Sequence, residues 1–375
     1  MAFIGQRGVP ATFGGIEHHV EEIGTRLAAR GHEVTVFCRT NYSPEPSARY
    51  RGMRLCHLPT VSSKHLDAIV HSGLSTLRAL GAGFDIVHYH ALGPGLLAPL
   101  PRYLSRSRVV LTVHGLDDER AKWGFAASAV LRTAGWMSAR VPDATIVVSQ
   151  ALADHYAGAH GRTAFRIANG VDEPQPHPPK EITERFGLRK GGFVLFVGRL
   201  VPEKAPDLLI RAFSRLSGDV RLVIAGGSSF SDAYVERVAR LAAADPRVLM
   251  TGYVYGPTLG ELYANAAAFV LPSSLEGLPL TLLEAASHAT PIVASSISPH
   301  LEVLGEDGPG HRLFPSGDED ALLSSLTRSM ADPAAEQAGA RDLRKEVLAA
   351  YSWTAAVDAT EAVYRRVLRP HAAPA

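Results

Sequence analysis

Glu173-Pro-Gln-Pro-His-Pro-Pro-Lys180 places four prolines in eight residues. Such a run suits a stiff, extended connection better than a helix or a strand. The same alternation stands on both sides of it. Before it, short apolar runs occur at Ala2-Phe-Ile-Gly5, Glu33-Val-Thr-Val-Phe37, Asp85-Ile-Val-His-Tyr89, Arg108-Val-Val-Leu-Thr-Val113 and Ala144-Thr-Ile-Val-Val-Ser149. After it they restart at Gly192-Phe-Val-Leu-Phe-Val-Gly198, Val220-Arg-Leu-Val-Ile-Ala-Gly226, Val248-Leu-Met-Thr251, Ala268-Phe-Val-Leu-Pro272 and Pro291-Ile-Val-Ala-Ser295. Longer stretches of helical period separate these runs, the pattern of right-handed βαβ units around a parallel sheet. Between the first two, Ile16, Val20, Ile23 and Leu27 form one apolar stripe, and Gly31 follows where a helix C-cap would sit. The expected fold is α/β: one domain over residues 1–175 and a similar one over 181–352.

Composition agrees with two domains. The chain has 375 residues, 46% of them apolar, so it can bury large cores. Lys and Arg number 38 against 37 Asp and Glu, a net charge of +1 that excludes the basic excess of a dedicated nucleic-acid binder. Any cationic site must be local. Only Cys38 and Cys56 are present, without metal spacing, which fits a reduced, cytosolic protein. Neither a signal-like leader at Met1–Arg7 nor an apolar run of about 18 residues is found, so neither export nor a membrane span is expected.

In open parallel sheets ligands lie beyond the C-terminal ends of the strands, so chemistry is sought just after each run. Glu276-Gly-Leu-Pro-Leu-Thr-Leu-Leu-Glu284 holds two carboxylates around Pro279, which suits the first helical position. The amides of Leu280, Thr281 and Leu282 would then face a phosphate, with Glu276 in the loop before the helix and Glu284 on its second turn. One carboxylate can face a reacting group and the other a ribose diol; the segment also reads as an acidic turn complementing a helix dipole. Gly198-Arg-Leu-Val-Pro-Glu-Lys-Ala-Pro206 supplies cations, Arg199 as a fork and Lys204 as a mobile point charge, for the charge that develops on a departing diphosphate. Read singly, each is first a surface cation, with Lys204 offset by neighbouring Glu203.

Weaker signals follow. Gly14 and Gly15, just before a helix, would let backbone approach a phosphate, although the spacing is not a dinucleotide fingerprint. His114 ends a strand and can meet a sugar hydroxyl or pair locally; His88 and His90 alternate on one strand face without a third plausible metal ligand. Asp318-Glu-Asp320 follows Ser316-Gly317 and reads as a helix cap, with no metal implied. Arg120-Ala-Lys-Trp-Gly-Phe125, with Arg132, Trp136 and Arg140, belongs to a helix that either packs on its own sheet through Ala127, Val130, Ala134 and Met137 or meets an anionic bilayer.

Together, the E-x7-E element, Gly198-Arg199-Leu200 with Lys204, the Gly14-Gly15 loop and Asn169-Gly-Val-Asp172 resemble, in the same order, the retaining GT-B glycosyltransferases of family four. Arg7-Gly-Val-Pro10 and Arg120-Ala-Lys-Trp-Gly124 look more particularly like a rhamnosyltransferase-like subgroup. The resemblance implies two Rossmann-like domains facing a cleft, with a C-terminal helix, about 353–368, crossing back to the first domain. It implies a nucleotide-diphosphate sugar as donor substrate, no required metal or other cofactor, and transfer to a hydroxyl acceptor. Carried over by position, Arg199 and Lys204 would bind the diphosphate, Glu284 the ribose, and Glu276 and Gly277 the transferred sugar. Leu280 and Thr281 would offer amides to phosphate, Tyr253 and Val254 would pack the base, and His114 would touch the sugar. Glu276, Arg199, Lys204 and His114 form the expected catalytic set, with Glu276 positioning the sugar and stabilising charge, not acting as a general base.

The expected acceptor is a saccharide, lipid-linked in cell-surface polysaccharide synthesis at the inner membrane face, or else a small molecule such as a secondary metabolite. Two rivals share the fold: a sugar-nucleotide epimerase or hydrolase, and a non-catalytic sugar-nucleotide binding protein.

Overall fold

A computed structural model describes residues 1–12, 14–42, 47–61, 67–115, 125–228 and 232–369. The chain divides into two compact units, Met1–Asn169 with Trp353 onward, and Gly170–Ser352.

The first unit runs β1 (Ala2–Ile4), α1 (Gly15–Ala29), β2 (Thr35–Arg39), β3 (Arg49–Tyr50), β4 (Met53–Leu58), α2 (Asp67–Leu80), β5 (Ile86–His90), α3 (Leu92–Gly95), α4 (Pro99–Leu104), β6 (Arg108–Val113), α5 (Phe125–Arg140), β7 (Ala144–Val147), α6 (Gln150–His160) and β8 (Phe165–Arg166). Its sheet has the order β3-β4-β2-β1-β5-β6-β7-β8. Neighbours are parallel except β3 and β4, an antiparallel pair at the edge. The five expected runs form β1, β2, β5, β6 and β7. β2, β5 and β7 are buried at every position, as a sheet covered on both faces requires.

The second unit continues with α7 (Glu181–Phe186), β9 (Phe193–Val197), α8 (Pro206–Ser214), β10 (Arg221–Ala225), α9 (Asp232–Ala243), β11 (Val248–Gly252), α10 (Gly256–Asn265), β12 (Ala268–Leu271), α11 (Leu280–Ser287), β13 (Ile292–Ser295), α12 (Ser298–Leu304), β14 (His311–Phe314), α13 (Glu319–Ala331) and α14 (Pro333–Ala350). Its six strands are all parallel, in the order β11-β10-β9-β12-β13-β14. Val194, Phe196, Leu209, Phe213, Ile224, Val238 and Leu326 form part of one buried core cluster there. The proline-rich stretch is held by this unit: the Asn265 side-chain amide donates to the His177 carbonyl, and the Glu261 carboxylate accepts from the amides of Lys180 and Ile182.

The last helix, α15 (Trp353–Leu368), belongs to the first unit and buries Trp353, Ala356, Val357, Val363 and Tyr364. Arg30 pairs with Asp358 at 2.6 Å, and the Tyr364 hydroxyl lies 2.6 Å from His88 Nδ1. Both sheets reverse their winding at one place. In the first, β1 lies between β2 and β5; in the second, β9 lies between β10 and β12. The helices flanking such a switch point diverge, which leaves a crevice beyond the strand ends.

Candidate active site

At the switch point of the second sheet, two loops leave the ends of β9 and β12. The first, Gly198–Val201, enters a single 3₁₀ turn, Pro202–Lys204. Backbone bonds pin it, from Gly198 to the Ala225 carbonyl and from Leu200 to the Gly227 carbonyl. Glycine is obligatory beside it: Gly226 has φ 154°, and a Cβ there would lie 1.8 Å from the Gly198 oxygen. The second loop, Ser273–Pro279, joins the first through the Ser274 amide, which donates to the Glu203 carbonyl at 2.9 Å. The Lys204 ammonium donates to Glu276 Oε1 at 2.5 Å, with both side chains largely buried.

Burial alone would push the Glu276 carboxyl up, but Lys204 and, next, His300 more than offset it and hold the group below its ordinary range. Glu276 is therefore ionised at neutral pH. It can stabilise positive charge but has no proton to donate. His300, fully buried on α12, is shifted down to about 4 by burial. It is anchored through Nδ1 to the Ser295 carbonyl at 2.8 Å.

α11 begins one residue later than the sequence suggests. Pro279 is the N-cap, with φ −73° and ψ 117°, and Leu280 is the first helical residue. The Pro279 carbonyl accepts from the Leu282 amide at 3.1 Å, so the expected phosphate donor Leu282 is already engaged. Leu280 and Thr281 have no helical carbonyl four residues behind them, and the Thr281 hydroxyl is buried with no hydrogen-bond partner. Groups of this kind at a helix N-terminus can receive an anion. Glu284 stands on the second turn, and Tyr263 donates its hydroxyl to Glu284 Oε2 at 2.9 Å. Tyr263 and His300 carried no signal in the sequence, because a tertiary contact brings each to the loop.

Gly277 is buried beside Glu276, and Arg199 is half-buried at the end of β9. Tyr253 and Val254 follow β11; the Tyr253 hydroxyl donates to the Ser228 carbonyl, and its ring lies so close to Gly227 that a Cβ there would sit 2.5 Å away. Asp318 caps α13 by accepting from the Ala321 amide, the capping role expected of it.

Gly14, Gly15 and His114 belong to the first unit. Gly14 is the N-cap of α1 at φ 105°, with the Glu17 carboxylate directly beside it, where a Cβ would meet Oε2 at 2.0 Å. That carboxylate also accepts from the Arg7 amide. A resident anion thus stands where the sequence reading brings a phosphate.

His114 is not a lone histidine. His90 Nδ1 lies 3.3 Å from His114 Nε2, and the rings of His19 and His114 meet edge-on at 4.6 Å. His19 Nδ1 is 2.9 Å from Asn169 Oδ1. Burial holds His90 and His114 well below the ordinary imidazole range and lowers His19 to about 4, so all three are neutral. The His88 ring packs against that of His90, with 4.3 Å between centroids, but both its nitrogens are engaged, with Tyr364 and Thr112.

On α5, Ala134 is buried, Trp136 is 53% exposed and the Arg140 guanidinium lies over its ring. Arg120, Lys122 and Trp123, and the side chains of residues 125–132, lie outside the described residues. Among the described residues no helix is long and apolar enough to cross a membrane.

Residues 191–332 match the family described as Glycosyl transferases group 1, and residues 13–174 match Glycosyltransferase Family 4. A D-inositol 3-phosphate glycosyltransferase of Mycobacterium marinum is 30% identical, over 95% of this chain and 82% of that protein. A GDP-mannose-dependent alpha-(1-6)-phosphatidylinositol monomannoside mannosyltransferase of Mycolicibacterium smegmatis is 28% identical, over 86% of this chain and 87% of that protein. In structure the chain is similar to the sucrose-phosphate synthase of Thermosynechococcus elongatus, with a TM-score of 0.85, 22% identity and 98% of each chain covered. Two Rossmann-like sheets with a returning C-terminal helix make the GT-B fold, and the chain belongs to the group 1, family 4 glycosyltransferases, retaining enzymes that use a nucleotide-sugar donor.

Proposed function

We propose that the switch point of the second sheet holds the diphosphate of the donor, and that the sugar passes to a hydroxyl of a lipid-linked saccharide or of a small-molecule acceptor. The observation that carries this reading is the buried Lys204–Glu276 pair beside the unpartnered N-terminus of α11. Lys204, Arg199 and the amides of Leu280 and Thr281 surround the phosphates. Glu284, steadied by Tyr263, takes the ribose diol, and the base lies against Tyr253 and Val254. Glu276 and Gly277 meet the sugar, and His114 touches it during transfer. Gly14 and Gly15 contribute room for the donor, since Glu17 already supplies the local charge.

The chemistry follows from which charges change. As the bond from the anomeric carbon to the phosphate oxygen breaks, negative charge grows on the diphosphate and positive charge on the sugar. Lys204 and Arg199 stabilise the first, and ionised Glu276 the second, more strongly than in the ground state. The acceptor oxygen bonds the anomeric carbon on the face that the phosphate leaves, and its proton passes to the departing phosphate oxygen. Configuration is retained and no protein base is needed. Lys204 is bound to Glu276 before the donor arrives, so donor binding divides the ammonium between carboxylate and phosphate.

Exposed Trp136 beneath Arg140 favours an acceptor presented at an anionic membrane surface, the lipid-linked alternative. The relatives named above lend the rhamnosyltransferase-like subgroup no support, so the donor sugar is left to the screen. The test incubates the enzyme with UDP-, GDP- and dTDP-sugars, with and without an acceptor panel. Nucleoside diphosphate released only with acceptor, and a retained anomer in the product, support the reading. Rapid stoichiometric release or epimerisation without acceptor favours the epimerase or hydrolase, and donor binding without turnover favours the non-catalytic protein.

A further inference from the structure

The switch point of the first sheet carries a second cluster. His90 ends β5, His114 follows β6 and His19 stands on the second turn of α1, so three separate elements converge on one place. One ring nitrogen from each lies within 4.8 Å of the other two. The order of strands makes this meeting, which is why the paired His88 and His90 show no further ligand in the sequence.

From this geometry we infer that His19, His90 and His114 bind one zinc-class divalent ion, and that its occupancy blocks sugar transfer. Zinc takes imidazole nitrogen at about 2.0–2.1 Å in a tetrahedron, which sets neighbouring nitrogens about 3.4 Å apart. The His90–His114 pair is already at 3.3 Å. The His19 nitrogen lies within 4.8 Å and has to close to that spacing; Asn169 Oδ1 accepts from its Nδ1, which leaves the Nε2 lone pair for an ion. A carbonyl oxygen behind a ligating histidine is the usual way of fixing tautomer and ring direction.

The contact between His90 and His114 can carry only one hydrogen, whichever ring donates it. An ion there would instead take the lone pairs of His90 Nδ1 and His114 Nε2 together, and His90 Nε2, fully buried and without a hydrogen-bond partner, would carry the hydrogen of that ring. His114 is half-buried and gives the ion a way in. The three histidines leave a fourth position open. The blocking effect rests on the proposed contact of His114 with the sugar, because an ion on Nε2 removes that lone pair.

The test is a titration of the intact, metal-free chain with Co²⁺ and then Zn²⁺, read by the visible absorption of tetrahedral cobalt and by a competing chromophoric chelator. One equivalent is expected, with affinity lowered about 100-fold or more in His90→Gln and His114→Gln, and less in Asn169→Ala. Zinc is expected to suppress transfer and a chelator to restore it. Should the variants unfold, anomalous scattering from a zinc-soaked wild-type crystal places the ion among the three rings or elsewhere. No tetrahedral cobalt signal, unchanged binding in both histidine variants, or anomalous density elsewhere overturns the site. Zinc bound there without loss of transfer overturns the blocking effect and the sugar contact of His114. Loss of transfer in His114→Gln without any metal binding keeps that contact and overturns only the metal site.

Discussion

Replacing Glu276 by Gln keeps the shape of the side chain and removes its charge from Lys204. At 2.5 Å the gross attraction in an effective dielectric of about 20 is about 7 kcal/mol. Desolvating two charges costs several kcal/mol each, so the net value of the pair is far smaller than the attraction. Removing one partner nevertheless leaves the other charge buried alone, with Lys204 only 13% exposed. The expected loss is about 3 kcal/mol, the lower end for broken buried pairs. For a unit of this size that lowers the melting temperature by about 6–12 °C. Lys204→Met is expected to cost as much, and the double variant less than the sum, which a double-mutant cycle on the second unit's transition measures. The sign with pH is fixed by the depressed carboxyl. Its stabilisation is complete above the unfolded-state carboxyl pKa and is lost as pH falls through the lower folded value, so wild type and Glu276→Gln converge in acid. Additive single effects, or a Glu276→Gln protein as stable as wild type at pH 7, would refute the reasoning.

Other consequences are as specific. Tyr263→Phe removes one hydrogen bond from the carboxylate of Glu284 and should weaken donor binding about fivefold, the worth of about 1 kcal/mol for one hydrogen bond, with turnover at saturation little changed. Gly226→Ala drives a methyl group to 1.8 Å from the Gly198 oxygen and should cost about 3 kcal/mol by thermal unfolding. Gly161→Ala, at φ 59° with open space around it, should cost only about 1 kcal/mol. Burial lowers His19 and His71 to about 4 and His88 to about 3, from 6.5. The unfolded chain therefore binds more protons below pH 6.5, and the first unit should lose stability between there and pH 4 more steeply than one group allows, about 1.4 kcal/mol per pH unit.

Strands buried on both faces announce themselves as unbroken apolar runs, and Gly192–Gly198 could be read from the sequence as β9 for that reason. Met53-Arg-Leu-Cys-His-Leu58 alternates and belongs to the edge region, and β8 is two residues long; neither makes such a run. The E-x7-E spacing was legible because one short loop and one helix N-terminus hold it. The start of that helix was misplaced by one residue, because a proline suits the N-cap and the first helical position almost equally. Tyr263 behind Glu284, His300 near Glu276 and the meeting of His19, His90 and His114 are set by strand order. No local pattern encodes strand order, so the sequence offers His114 as a single strand-end candidate and His90 beside His88, and gives no signal for His19, Tyr263 or His300.

In the proposed function the β9–β12 crevice grips the diphosphate. Calorimetric titration of UDP and GDP into wild type, Lys204→Ala and Glu276→Ala, alongside turnover with an accepted donor, tests it most directly. Lys204→Ala is expected to weaken binding of the preferred nucleotide at least about 30-fold, the worth of about 2 kcal/mol for a lost charge-assisted contact. Glu276→Ala should keep most nucleotide affinity while transfer falls to background. Nucleotide affinity unaffected by Lys204→Ala, or near-normal transfer by Glu276→Ala, would contradict it.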